Sequence, residues 1–222
     1  LDAQASAATD NRLKVALNLK MAEVAEDRLK DSDAARSRLA ADCLLAPSFL
    51  PALDALIGVL GRLGQEGPRA ERLEQAAGLV DRADARAAYL LRASRAWEQV
   101  GDRDRAISSL QKAAEAGPGP LLAREWLVDA YQQDGRWSEA ADALRQAAAE
   151  TEDPALKAAL LYRSGRVSLA RLKDQDAAEA AYRSLLDLAP DFFAATLDLA
   201  DIYAARGDWD AYGLLQQQMA EA

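Results

Sequence analysis

Few side chains in this sequence are able to do covalent chemistry. The chain has 222 residues, no histidine and a single cysteine, Cys43. Histidine-ligated metals, Ser-His-Asp triads and Cys-His dyads are therefore excluded, because each needs an imidazole as ligand or base. A lone cysteine forms no intrachain disulfide. Cys43 lies in the run Ala40-Ala41-Asp42-Cys43-Leu44-Leu45, where a small buried hydrophobe is expected rather than a reactive thiol. The acidic pairs Glu26-Asp27, Glu152-Asp153 and Asp208/Asp210 could serve as acid–base dyads or calcium ligands. None has the spacing of a calcium loop, and each falls at an expected helix end, where carboxylates cap N–H groups or favour the positive end of the dipole. Gly58, Gly61, Gly64 and Gly67 recur every three residues, which suggests a phosphate loop. No strand precedes them, however, no Gly-x-x-x-x-Gly-Lys-Ser/Thr occurs, and Leu56, Ile57, Val59, Leu60 and Leu63 interleave as on a helix. A loosened helix end is expected there, with each interior glycine costing about 1 kcal/mol relative to alanine. No catalytic residue, metal site or cofactor is expected, and the chain reads as a non-enzyme.

Charge and composition narrow the partners. The net charge is −9, so the averaged field repels phosphate backbones, and nucleic acid is not an expected partner. Half of the residues are apolar while only 6% are aromatic. That composition can bury a substantial core, and its alanine, leucine, arginine and glutamate favour helix over sheet. No apolar stretch reaches the roughly 18 to 20 residues needed to cross a bilayer, so direct membrane insertion is not expected. The chain opens on Leu1, and Leu1 to Thr9 look like the tail of a preceding segment or a disordered stretch of a longer protein. A cytoplasmic location is expected, with the periplasm left open because the chain looks like a fragment.

The elements that position these residues are set by a repeat. Gly67, Gly101 and Gly135 stand 34 residues apart, as do Ala106 and Ala140, Leu110 and Leu144, Ala113 and Ala147, and Trp97 and Tyr131. After a stretch lengthened by four residues the register resumes, with Gly135 answered by Lys173 and then Gly207, and Trp137 by Trp209. A second copy is more specific: Arg28-Leu-Lys-Asp-Ser-Asp-Ala-Ala35 recurs 143 residues later as Arg171-Leu-Lys-Asp-Gln-Asp-Ala-Ala178, with Pro47 matched by Pro190 and Phe49 by Phe192. Each unit reads as two helices, with apolar residues at i, i+3, i+4 and i+7. In the best copy Leu127, Val128 and Tyr131 mark the first helix, and Ala140, Ala143, Leu144 and Ala147 the second. Glycine between them suits a residue just past a helix end with positive φ. Alanine at 106, 140 and 178 fits the close approach of two antiparallel backbones. Prolines 47, 118, 154 and 190 punctuate the units.

These residues resemble the tetratricopeptide repeat, in divergent copies of bacterial type. Leu127, Tyr131, Gly135, Trp137, Ala140, Leu144 and Ala147 fill its pattern, as do Trp97, Gly101, Ala106, Leu110, Ala113 and Pro118. The last copy keeps Leu199, Ala200, Tyr203, Gly207 and Trp209 but has Tyr212 for the usual alanine. Copies one and five carry Lys30 and Lys173 in place of glycine, with about one extra residue in the first helix, and copy two adds about three around Gln65-Glu66-Gly67-Pro68. The resemblance implies an all-α, right-handed α-solenoid over 10–221, with about six hairpins near 10–47, 48–82, 83–118, 119–153, 154–190 and 191–221.

The resemblance also implies a function, a protein-interaction scaffold that takes a peptide, a helix or a small partner domain in a concave groove lined by the first helices. The groove positions so implied are Arg92 and Arg95; Glu125, Trp126 and Asp129; Tyr162, Arg163 and Arg166; and Asp198 and Asp201. The other tryptophans, Trp97, Trp137 and Trp209, are expected to pack. Arginines grip carboxylates bidentately, and an exposed aromatic among them can bury apolar peptide surface. Equally, Arg92, Glu125, Arg163 and their neighbours could pair between adjacent repeats, at only about 0 to 1 kcal/mol each. The Lys/Asn clamp of family members that capture chaperone tails is not reproduced. Two further roles stay open. The chain could self-associate as a solenoid segment, since Leu13, Leu17 and Leu19 near its start hint at a preceding repeat, or it could be a non-catalytic helper of a larger enzyme or regulator.

Overall fold

The computed structural model describes residues 11–116 and 121–221. The expected tail over 1–9 and the punctuating Pro118 lie outside these residues. Twelve helices and no strand occur among the described residues. They divide between two units, Leu1–Ala123 and Arg124–Ala222. The first holds α1 (Asn11–Asp27), α2 (Ser32–Leu45), α3 (Leu50–Arg62), α4 (Glu66–Leu79), α5 (Ala83–Gln99) and α6 (Arg103–Glu115). The second holds α7 (Leu121–Gln133), which begins at the boundary, then α8 (Trp137–Glu150), α9 (Pro154–Val167), α10 (Gln175–Leu186), α11 (Phe193–Arg206) and α12 (Trp209–Glu221). Odd-numbered helices open hairpins and even-numbered helices close them.

In the first unit each helix packs on the next, α1 through α6. In the second, α8 packs on α9, α9 on α10, α10 on α11 and α11 on α12, while Arg124 of α7 pairs with Glu150 of α8. The apolar spacing decides which faces meet. Leu39, Leu53, Ile57, Leu73 and Trp97 are buried in the first unit, and Leu127, Tyr131, Leu144, Tyr182, Leu185 and Leu199 in the second. Ala35, Ala106, Ala140 and Ala178 are buried just inside the closing helices, as two closely approaching backbones require.

The hairpin turns share one device. Gly64, Gly101, Gly135 and Gly207 have positive φ, and so do Lys30 at 56° and Lys173 at 58°. The two lysines therefore occupy the left-handed position that glycine fills elsewhere. The next amide turns back onto a carbonyl of the preceding helix, as Asp102 N does onto Trp97 O at 3.0 Å and Arg136 N onto Tyr131 O at 2.8 Å, which satisfies groups the helix end leaves free. Aspartates then cap the following helix, with Asp31 accepting from Ala34 N at 2.9 Å, Asp102 from Arg105 N at 3.1 Å and Asp174 from Ala177 N at 2.9 Å. The extra residue of the fifth copy is absorbed as a π-helical turn at Ser168–Leu172.

Three expectations are corrected. The turn glycine of the second hairpin is Gly64, not Gly67, which lies inside α4; the even count of 34 misled because this copy is longer. Gly61 is less a loosened helix end than a seat for Arg69, whose guanidinium carbon lies 3.1 Å from where a Cβ would stand. Glu26 is near the end of α1 and pairs with Arg62 of α3 instead of capping a helix. The acidic pair at 152–153 behaves as expected, since Asp153 accepts from Ala155 N at 2.9 Å at the start of α9.

Candidate protein-binding face

All ten residues singled out from the sequence lie on opening helices, and none is buried. Arg92, Arg95, Asp129, Arg166 and Asp201 are exposed, while Glu125, Trp126, Tyr162, Arg163 and Asp198 are half-buried. In the first unit, Arg92 and Arg95 stand one turn apart on α5. The Arg92 guanidinium lies 5.7 Å from the centre of the Tyr89 ring, within the range of a cation–π contact. The Tyr89 hydroxyl in turn donates to Asp54 Oδ1 of α3 at 2.7 Å. Burial first, and then the Asp54 carboxylate receiving that proton, push the Tyr89 phenol up to about 12.

In the second unit the structure gathers residues from four helices. Tyr162 of α9 lies 5.1 Å from Phe192 and 5.9 Å from Tyr182 of α10, centre to centre. Arg166, one turn along, sits 5.9 Å from the Tyr162 ring and donates to its hydroxyl at 3.3 Å. Tyr182 donates to Asp198 Oδ2 of α11 at 3.1 Å, and burial followed by the Asp198 charge raises its phenol above the ordinary value. Arg163 reaches Asp129 of α7 at 4.0 Å, so this pair does join adjacent hairpins. Arg166 differs, because among the described residues no carboxylate lies within ion-pairing distance of it and its polar partner is a phenol. Asp129, Tyr162, Arg163, Arg166 and Asp198 thus form one neighbourhood. Arg92 and Arg95 belong to the other unit.

Reading the sequence missed Tyr89, Asp54, Tyr182 and Phe192. Tyr89 carried a signal, standing three residues before Arg92 on the same helical stripe. Tyr182 carried none, because it reaches this neighbourhood from a closing helix. The tryptophans also divide differently from expectation. Trp97 is buried, with Arg105 4.5 Å from its ring, and Trp137 is half-buried beneath Arg171 at 4.6 Å. Trp209 does not pack as expected and is 66% exposed.

Chemically, the arrangement offers guanidinium forks and phenol rings. Among the described residues no group of three His, Cys, Asp or Glu is placed to hold a metal, and no helix is long and apolar enough to cross a membrane. Cys43 is buried, and burial raises its thiol above the ordinary range.

Helical hairpins of similar length, each turning on a left-handed residue among the described residues, define an α-helical repeat protein. Residues 127–158 match the tetratricopeptide repeat family, and the helical fold resembles that of solved tetratricopeptide-repeat structures. No curated relative matches the sequence. Among solved structures, a TPR repeats protein from Bacteroides fragilis NCTC 9343 is similar with a TM-score of 0.59 at 13% identity, over 89% of this chain and 100% of that one. YrrB, a TPR protein with an unusual peptide-binding site, gives 0.44 at 17% identity over 80% of this chain and 88% of its own. A tetratricopeptide repeat protein from Parabacteroides merdae ATCC 43184 gives 0.46 at 13% over 93% and 79%.

Proposed function

We propose that the protein is a protein-interaction scaffold, and that the opening-helix face of its second unit receives a peptide, a helix or a small partner domain. The helical-repeat fold is typically a non-catalytic scaffold, which agrees with a face made of binding groups alone. The observation that carries the reading is Arg166. It is exposed, steadied by the Tyr162 ring and hydroxyl, and in no ion pair among the described residues, while the Asp198 carboxylate acts on it only from farther off. A guanidinium held this way is preorganised for a carboxylate from outside. The Tyr162 ring beside it, with the Phe192 ring 5.1 Å away, offers apolar surface to the adjoining side chain. The segment so recognised carries Asp or Glu next to an apolar residue.

Selection from a displayed library of short random peptides tests this on the whole chain. Retained sequences are expected to share an acidic residue beside an apolar one, and to bind Arg166→Glu at least tenfold more weakly, a difference of about 1.4 kcal/mol. Equal retention by the parent and Arg166→Glu, or the absence of any acidic preference, would overturn the assignment.

A further inference from the structure

The internal junction between the fourth and fifth hairpins has a counterpart split between the two ends of the described chain. At that junction α8 packs on α9, Arg171 lies over Trp137 at 4.6 Å and Arg163 meets Asp129 at 4.0 Å. Two sequence offsets carry both contacts elsewhere. The fourth hairpin maps onto the sixth 72 residues later, where Asp129 becomes Asp201, Tyr131 becomes Tyr203, Gly135 becomes Gly207 and Trp137 becomes Trp209. The helices follow, since α7 and α8 start 72 residues before α11 and α12, and Gly135 and Gly207 share a φ of 71°. The fifth hairpin maps onto the first 143 residues earlier, where Arg163 becomes Lys20 and Arg171 becomes Arg28, with Leu13, Lys14, Ala16 and Leu17 identical to their counterparts. The left-handed lysines Lys30 and Lys173 fall in the same register.

The sixth hairpin therefore displays the receiving half of the junction, Trp209 and Asp201, and the first hairpin displays the inserting half, Arg28 and Lys20. All four are exposed. The apolar positions agree. Val167 is buried at 8% in the internal junction, whereas its counterpart Val24 is 37% exposed; Leu156 is half-buried, whereas Leu13 is 52% exposed. Charge is complementary at both contacts, cation to ring and cation to carboxylate.

We infer that the first hairpin of one copy docks on the sixth hairpin of a second copy, Arg28 over Trp209 and Lys20 beside Asp201, re-forming the junction that the chain already builds internally. Such an interface joins two different surfaces. It is heterologous, so every assembly keeps one unused surface of each kind and growth continues unless the rotation closes a ring. The apolar side chains and the ring supply the attraction, while the two cations set the register.

Sedimentation velocity of the whole chain from low to high micromolar concentration tests the inference. The parent is expected to grow in average mass with concentration, beyond a dimer. Trp209→Ala, and separately Lys20→Glu with Arg28→Glu, are each expected to weaken association at least tenfold while keeping parental helicity, since all three side chains are exposed. Mixing the two variants is the decisive step. Each supplies the half the other lacks, so the mixture is expected to form heterodimers and stop there, which a symmetric dimer cannot do. A charge exchange gives a second reading, with Asp201→Lys associating poorly with itself and regaining association with the Lys20→Glu, Arg28→Glu variant. A parent that stays monomeric throughout, growth unaffected by either variant, or a mixture that forms no heterodimer would each overturn the inference.

Discussion

A Cβ added at Gly165 would stand 2.4 Å from Cε1 of Tyr182. That is closer than any carbon contact tolerates, and the ring is held by packing on one side and by its bond to Asp198 on the other. Gly165→Ala is therefore expected to cost about 1–3 kcal/mol, the usual penalty of overpacking, read as a lower denaturant midpoint. An unchanged midpoint would mean that the ring swings aside freely. Asp42 presents a different tension. It is fully buried, accepts from Asn18 Nδ2 at 2.6 Å, and its Oδ2 has no partner among the described residues. Desolvation raises its pKa above the ordinary 3.8, against the smaller lowering effect of the Asn18 bond. A carboxyl whose folded pKa is raised favours folding while protonated and penalises it once ionised, so its penalty grows as pH rises from 3.8 through the folded value. Asp42→Asn is expected to gain stability relative to the parent between pH 4 and pH 7. A constant difference between the two proteins over that window would show that Asp42 does not titrate as its burial requires. Its sequence neighbours did not reveal this burial, because Ala41, Leu44 and Leu45 beside it are exposed and Asn18 comes from another helix.

At the scale of the helix and its turn, the left-handed lysines carry a cost that the glycines avoid. A side chain in that region costs about 1–2 kcal/mol, partly offset because glycine loses more backbone freedom on folding. Lys173→Gly is expected to stabilise the chain by up to about 1 kcal/mol, and Gly135→Ala to destabilise it by about 1 kcal/mol, both visible in thermal midpoints. The same change in sign at both sites would contradict a shared turn geometry. The repeat spacing marked this position in five hairpins, and Lys30 and Lys173 were legible as glycine substitutes because identical flanking residues fixed their register. It misplaced the second, because a count of 34 carries no information about where a longer copy stores its extra residues. The structure stores them so that α3 ends at Arg62 and Gly64 makes the turn. The candidate face was legible to the same depth. Its ten residues came from the family resemblance, and they lie unburied on the opening helices. The bonds Tyr89–Asp54 and Tyr182–Asp198 were not legible, because each joins two helices whose axial offset depends on packing that no single-helix pattern encodes.

Across the whole molecule, repeats gain stability from their own hairpin and from adjoining ones, so perturbations should stay local. The first unit has a continuous core running from Val15 through Leu39, Ile57, Leu73 and Trp97 to Ala106. In the second, Leu185 is fully buried on α10, which packs on both α9 and α11. Leu185→Ala removes apolar contacts and leaves a cavity, at about 2–5 kcal/mol. In a domain that unfolds as one piece, that loss would lower the protection of every slowly exchanging amide by the same factor. In a chain of neighbour-coupled hairpins, amides of α9, α10 and α11 instead exchange much faster, while those of α3, α4 and α5 keep nearly their parental protection. Hydrogen exchange read peptide by peptide separates the two outcomes. An equal acceleration in α3–α5 would show that the units share one cooperative transition, and the nearest-neighbour account of stability would then fail for this chain.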